Sequence, residues 1–192
     1  MKLVFASNNK NKIAEIKKLL PNTIQLLSLA DIGCHEDIAE TANTIEGNAQ
    51  LKANYVKKHY HYNCFSDDTG LEVEALNGAP GVFSARYAGE HKNDTDNIKK
   101  LLLNLAETKN RKAQFKTVIS LYLDNQEFNF TGICKGEITT QPAGTKGFGY
   151  DPIFTPEGYQ ETFAEMPQDE KNKISHRGKA LQKLLAFLEN KS

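Results

Sequence analysis

Much of what would mark a specialised class is missing from this 192-residue chain. It has no net charge: 24 basic residues balance 24 acidic ones. No global field therefore recruits nucleic acid or an anionic membrane, and any anion site must be local. Its three cysteines, Cys34, Cys64 and Cys134, are odd in number and widely spaced. They form no CxxC pair, and they read as buried or half-buried thiols of a reducing compartment. The apolar run near the N-terminus is too short for a signal peptide, and no stretch is long enough to span a membrane. The expectation is a cytoplasmic protein with no membrane and no nucleic acid polymer as partner. Repeats, low-complexity tracts and long linkers are also lacking. No Walker A loop or GxGxxG fingerprint occurs. No spacing supports a Ser-His-Asp or Cys-His nucleophile, and no second ligand pair completes a zinc site around Cys34 and His35.

What is present is ordinary for a globular chain, with 39% hydrophobic and 25% charged residues. Residues 2–6 predict a first strand. Ile13, Ile16, Leu19 and Leu20 predict a helix over 12–20, stopped by Pro21. A second strand is expected over 24–29, a second helix over 45–58 and a short third strand over 63–67. Glycine and proline make 70–90 read as loop. A third helix is expected over 94–106, with Asp94 or Thr95 as N-cap. Residues 115–123 and 127–138 alternate in polarity around Asp124-Asn125 and predict a hairpin. Leu181, Leu184, Leu185 and Leu188 mark a last helix over 178–188. Strands alternating with helices, then a hairpin, indicate an α/β protein with a mixed sheet.

Six places in the chain carry residues suited to chemistry. Asp67 and Asp68 are adjacent in SDDTG, at the expected end of the third strand. Side chains alternate faces along a strand, so one carboxylate can enter a site while the other meets a supporting partner. Such pairs suit a divalent cation or an activated water, and the same letters suit a turn. SNNKNK (7–12) links a strand to a helix. Free N–H groups at a helix N-terminus, with Lys10 and Lys12 beside them, make a phosphate cradle or a solvated polar connection. Glu40 can join Asp68 at a hard cation or lie on the surface. Asn48 and Lys52 share a helix stripe that faces either phosphate or water, water being the commoner case for an isolated pair. GTKGFGYDP (144–152) offers glycines for close backbone approach, the rings of Phe148 and Tyr150 for stacking a base, and Asp151 as an acceptor for a base edge, unless the rings fold into the core. In SHRG (175–178), His176 and Arg177 place two donors ahead of the last helix, where the dipole disfavours cations and a ligand carbonyl or anion would be welcome.

Taken together, SNNKNK, TIEGNAQLKA (44–53), SDDTGLEV (66–73), GAPGVFSARYAG (78–89), GTKGFGYDPIF (144–154) and KNKISHRGKAL (171–181) occur in the order of a known family. The chain resembles the Ham1-type inosine/xanthosine triphosphate pyrophosphatases over nearly its whole length, residues 1–192 as one such domain. The resemblance implies an elongated α/β fold, with a twisted mixed sheet, flanking helices and two lobes around a central nucleotide-binding cleft. It implies a homodimer, a Mg²⁺ requirement, and hydrolysis of 6-oxo purine nucleoside triphosphates (ITP, dITP, XTP) to monophosphate and pyrophosphate. By position, Ser7, Asn8, Asn9, Lys10, Asn11 and Lys12 resemble the triphosphate loop. Glu40 and Asp68 resemble metal ligands, with Asp68 the base. Thr69 matches a substrate-contact position often held by serine. Phe148, Gly149, Tyr150, Asp151, Lys171, His176 and Arg177 resemble base and substrate contacts, and Lys52 joins Lys10 and Lys12 on the leaving pyrophosphate. A broader nucleotide pyrophosphatase and a non-catalytic nucleotide sensor are the competing readings.

Overall fold

The computed structural model describes residues 1–191. In chain order its regular elements are β1 (Lys2–Phe5), α1 (Lys10–Leu19), β2 (Gln25–Leu27), α2 (Ile45–Tyr60), β3 (Cys64–Val73), β4 (Pro80–Gly81), α3 (Asp94–Asn104), β5 (Lys112–Leu123), β6 (Gln126–Ile138), β7 (Phe154–Pro156), α4 (Gln168–Ile174) and α5 (His176–Glu189). Seven strands form one sheet in the order β2-β1-β3-β5-β6-β7, with β4 paired to β3. The sheet is mixed, as the alternation of elements predicts. β1 lies parallel to β2 and β3, whereas β4 pairs antiparallel with β3 and β7 antiparallel with β6.

The chain divides into two compact units. The first comprises Met1–Asp68, Val118–Thr131 and the chain from Ala180 onward. Its packing follows from the two-residue period of a strand. Leu3 and Phe5 of β1 join Ile16 of α1, Phe65, Ile119, Leu121 and the α5 leucines Leu181, Leu184 and Leu188. Val4 and Ala6 point the other way, onto Leu29, Cys64 and the α2 residues Ala53 and Val56. Parallel register pairs Phe5 with Phe65, and their rings stack at 4.8 Å.

The second unit comprises Thr69–Thr117 and Gly132–Lys179. Its core gathers Leu71 and Val73, the α3 residues Ile98 and Leu101, and an aromatic group of Phe115, Phe154 and Phe163. Phe115 meets Phe154 edge-on at 4.7 Å, and Phe154 meets Phe163 at 5.1 Å.

Several expected boundaries move for physical reasons. β3 does not stop at residue 67; it runs on through Thr69 and Gly70 to Val73. Buried at almost every position between neighbouring strands, this segment gains ladder hydrogen bonds that outweigh the turn preference of Asp, Thr and Gly. SDDTG is therefore strand, not turn. The loop expected over 70–90 shrinks accordingly and contains β4. The N-cap of α3 is Asn93, whose side chain accepts from the Asp96 N–H, not Asp94 or Thr95. α4 and β7 were not expected: α4 is only seven residues long, and β7 only three. The hairpin turn is as read. Asp124 and Asn125 have φ of 49° and 65°, the pair of positive values a two-residue type I′ turn requires. The three cysteines are free and buried, as expected.

Candidate functional site

In the first unit, strand alternation separates the two aspartates. Asp67, fully buried, receives the ammonium of Lys12 on α1 at 3.0 Å. Asp68, next along β3, receives Lys52 on α2 at 3.3 Å. The same Lys52 Nζ lies 2.6 Å from Glu40 Oε1. Asn48 and Lys52 therefore do not face water, the commoner case for such a pair. Both are buried, because β3 supplies a carboxylate directly against that stripe of α2. Ser66, on the same strand, donates to the Ala49 carbonyl and ties β3 to α2 one turn earlier.

Electrostatics single out Asp68. Burial pushes its carboxyl above the usual range, further than Lys52 and Lys12 pull it down, and Glu40 and Asp67 add to the rise. Burial disfavours the Lys52 ammonium, but Asp68, Glu40 and Asp67 more than offset that, so its pKa is raised. Three carboxylates, Glu40, Asp67 and Asp68, meet the two ammonium groups of Lys12 and Lys52 here. Among the described residues no group of three or more His, Cys, Asp or Glu side chains is placed to hold a metal ion. Two hard oxygen donors, Glu40 and Asp68, nevertheless converge on one cationic nitrogen. That donor set fits Mg²⁺, which takes one or two protein carboxylates and fills its shell from water and substrate phosphate.

The 7–12 segment lies where expected, between β1 and α1. Asn8, Asn9, Lys10 and Asn11 are exposed, and Ser7 and Lys12 half-buried. Its amides are less free than a bare helix end would offer. Asn9 caps α1, its Oδ1 accepting from the N–H groups of Asn11 at 3.0 Å and Lys12 at 3.2 Å, and Ser7 Oγ accepts from Asn9 N–H. A phosphate meeting those amides would displace the Asn9 side chain.

In the second unit, the glycine-rich loop is organised around Asp151. Its Oδ2 accepts from Phe148 N–H at 2.9 Å and from Lys171 Nζ at 2.7 Å. Gly147 makes this possible: its φ is 73°, and a Cβ there would overlap Asp151 Oδ2. Asp151, 3% exposed, is thus the loop's internal anchor rather than an open acceptor for a base edge. Tyr150, expected to offer a face to a base, is packed in the core with its hydroxyl donating to the Ser84 carbonyl at 2.7 Å. Phe148 is the half-buried ring of the pair. Lys171 Nζ lies 5.3 Å and the Arg177 guanidinium 5.5 Å from its centroid, within cation–π range.

α4 and α5 meet at Ser175, whose Oγ caps α5 by accepting the Gly178 N–H. A Cβ on Gly178 would overlap the Asn172 carbonyl, so glycine sets the tight junction that delivers His176 and Arg177. The helix begins at His176, two residues earlier than its apolar stripe indicates. The buried His176 ring stacks on Phe115 at 4.5 Å, and Arg177 Nη2 donates to Thr69 Oγ1 at 3.3 Å.

Two residues here were not among the expected site residues. Asn48 Oδ1 accepts the Ala42 N–H at 2.9 Å and so fixes the backbone beside Glu40, while its Nδ2 is buried without a hydrogen-bond partner. Asp94 Oδ2 accepts the Gly149 N–H at 2.7 Å and holds the loop beside Phe148. Spacing singles out Asn48 beside Lys52 but not its tie to Ala42, and gives no signal for Asp94, which acts through an amide 55 residues away.

Comparison with known proteins gives the family. The profile of the Ham1 family matches residues 3–187. This chain belongs to the Ham1 family. Within that family it is 66% identical, over 190 residues, to a dITP/XTP pyrophosphatase of Flavobacterium psychrophilum; the match covers 99% of this chain and 100% of the relative. It is 65% identical over 188 residues to a dITP/XTP pyrophosphatase of Flavobacterium johnsoniae, covering 98% of each. A solved structure of a Ham1 protein from Staphylococcus aureus superposes with a TM-score of 0.92 at 42% identity, covering 100% of both chains.

Proposed function

We propose that this Ham1-family protein hydrolyses 6-oxo purine nucleoside triphosphates, dITP, ITP and XTP, to the monophosphate and pyrophosphate. The observation that carries this is near-complete coverage at 66% identity to a relative named for that activity. It is a hydrolase of phosphoric anhydride bonds, and its place is in nucleotide metabolism.

The residues divide the work. Asp68 is the general base: it takes the proton of the water that attacks the α-phosphorus, and its raised pKa brings it nearer to neutral operation. Lys52 holds Glu40 and Asp68 in register on one side of β3, and Lys12 neutralises Asp67 on the other. Ser7, Asn8, Asn9, Lys10 and Asn11 bind the triphosphate, with Lys10 the exposed cation of that segment. Glu40 and Asp68 would hold Mg²⁺, which supplies charge neutralisation on phosphate oxygens and a more acidic water. In the second unit Phe148 stacks the base, and Arg177 and His176 supply donors for the 6-oxo group. A 6-amino group would leave those donors unpaired, at about 1–3 kcal/mol each. Lys171 and Asp151 keep Phe148 in place.

A homodimer rests on the family resemblance, and light scattering of the purified protein tests it; cytoplasmic residence rests on the short apolar N-terminal run and the spaced thiols. Among the described residues no helix is long and apolar enough to cross a membrane.

The deciding experiment incubates the purified protein with dITP, ITP, XTP, GTP and ATP, with and without Mg²⁺, and resolves pyrophosphate from orthophosphate. Mg²⁺-dependent pyrophosphate from the first three, with little from GTP and ATP, is expected. Orthophosphate as the product, or equal use of all five, would sink the reading.

A further inference from the structure

Thr117, on β5, is fully buried, and its Oγ1 lies 2.7 Å from Thr69 Oγ1 on β3. A buried hydroxyl proton left without an acceptor is costly, about 1–3 kcal/mol. Among the described residues Thr69 Oγ1 is the one hydrogen-bond partner of the Thr117 side chain. Thr117 therefore donates to Thr69; the reverse arrangement would strand a proton in the core. Arg177 Nη2 donates to the same oxygen. A hydroxyl oxygen accepts two hydrogen bonds and donates one. With Thr117 and Arg177 filling both acceptor positions, Thr69 keeps its own proton for a third partner, and no acceptor for it is found among the described residues.

We propose that Thr117 is a positioning residue that commits the half-buried Thr69 hydroxyl to donate to an acceptor oxygen of the bound nucleotide. This rests on the hydrolase reading above. The acceptor is either a phosphate oxygen or the 6-oxo group of the base, and both have the same requirement: a proton already aimed outward, with no rotamer search on binding. Without Thr117, the Thr69 hydroxyl is free to rotate.

The test compares Thr117→Val, Thr117→Ser, Thr69→Val and the double Val variant. kcat and KM for dITP, equilibrium affinity for ITP by calorimetry, and melting temperature are measured. Thr117→Val, which keeps the branched shape, is expected to lose about three- to tenfold in kcat/KM and in ITP affinity, the scale of one hydrogen bond. Thr117→Ser restores both, and Thr117→Val adds nothing in the Thr69→Val background. Inhibition by inorganic tripolyphosphate names the acceptor. A weakening matching the loss for dITP assigns a phosphate oxygen, and unchanged inhibition assigns the base. The proposal fails if Thr117→Val equals wild type, if Thr117→Ser is as poor as Thr117→Val at an unchanged melting temperature, or if the two Val losses multiply. A wild type that binds ITP without turning over dITP would sink the hydrolase reading alone, and the affinity comparison would still decide the role of Thr117.

Discussion

The two units use lysine and arginine in opposite ways. In the first, Lys12 and Lys52 are paired with carboxylates, Asp67 and Asp68 on β3 and Glu40 ahead of α2. In the second, Lys171 and Arg177 lie against the Phe148 ring, and two carboxylates hold the loop: Asp151, paired with Lys171, and Asp94, on Gly149 N–H. A cluster of carboxylates suits a cation and a reacting water. A ring flanked by fixed donors suits a flat ligand with acceptor edges. The lesson is a division between rate and recognition, and it can be broken by asking whether mutations in each unit move the expected kinetic constant.

The largest effect is expected from Asp68→Asn. The amide keeps the shape but cannot take a proton, so kcat for dITP should fall by about 10²–10⁴-fold, the usual worth of a general base. Nucleotide affinity should stay close to wild type, which calorimetry reads directly. Near-normal kcat would remove Asp68 as the base and dissolve the contrast between units.

Gly147→Ala probes the second unit with a smaller effect and the opposite signature. The new Cβ overlaps Asp151 Oδ2, and φ of 73° is strained for alanine. Asp151 would then release Phe148 N–H or Lys171. The expected outcome is a KM for dITP raised about tenfold or more and a melting temperature lowered by several degrees, with kcat falling far less. A loss confined to kcat would place the loop in the chemical step instead.

How much of this was legible in the sequence follows from the range of the interactions. The hairpin was readable because Asp124-Asn125 states its own turn, and the first helix because its stripe is local. The length of β3 was not, since burial between neighbouring strands overrides the local preference of Asp-Thr-Gly. Asp67 and Asp68 stood out as a pair, and alternation along the strand sets them on different lysines, Lys12 and Lys52. Which lysine serves which acid depends on helix placement that no spacing encodes. Asp151 was expected to meet a ligand and is instead turned inward by its neighbours Phe148 and Lys171. Thr117, one of several alternating strand residues, carried no signal at all.

Arg177→Ala sharpens the recognition side more finely. If its guanidinium, or the Thr69 hydroxyl it supports, reads the 6-oxo group, preference for dITP over dATP should shrink by about tenfold while dATP turnover barely changes. Equal losses on both substrates would assign Arg177 to phosphate, and the second unit would then share the work of the first.

The smallest effect concerns two of the three buried thiols, Cys64 in the first unit and Cys134 in the second. Burial pushes Cys64 in the first unit from 9.0 up to about 12, and Cys134 in the second to about 11. The neutral thiol is the form the fold prefers in both. Stability on this account is intact below pH 9 and declines for both thiols as pH rises past 9, the loss levelling off near 11 for Cys134 and near 12 for Cys64, where the folded thiol itself ionises. Cys64 is also the better held, fully buried with its Sγ donating to the Ala53 carbonyl at 3.2 Å. Alkylation by iodoacetamide at pH 8 should therefore be slow at both sites, and slower at Cys64, when followed by peptide mass mapping. Faster labelling of Cys64 would mean that the first unit opens more readily than the second. Its ordered carboxylate cluster would then depend on ligand rather than on the fold.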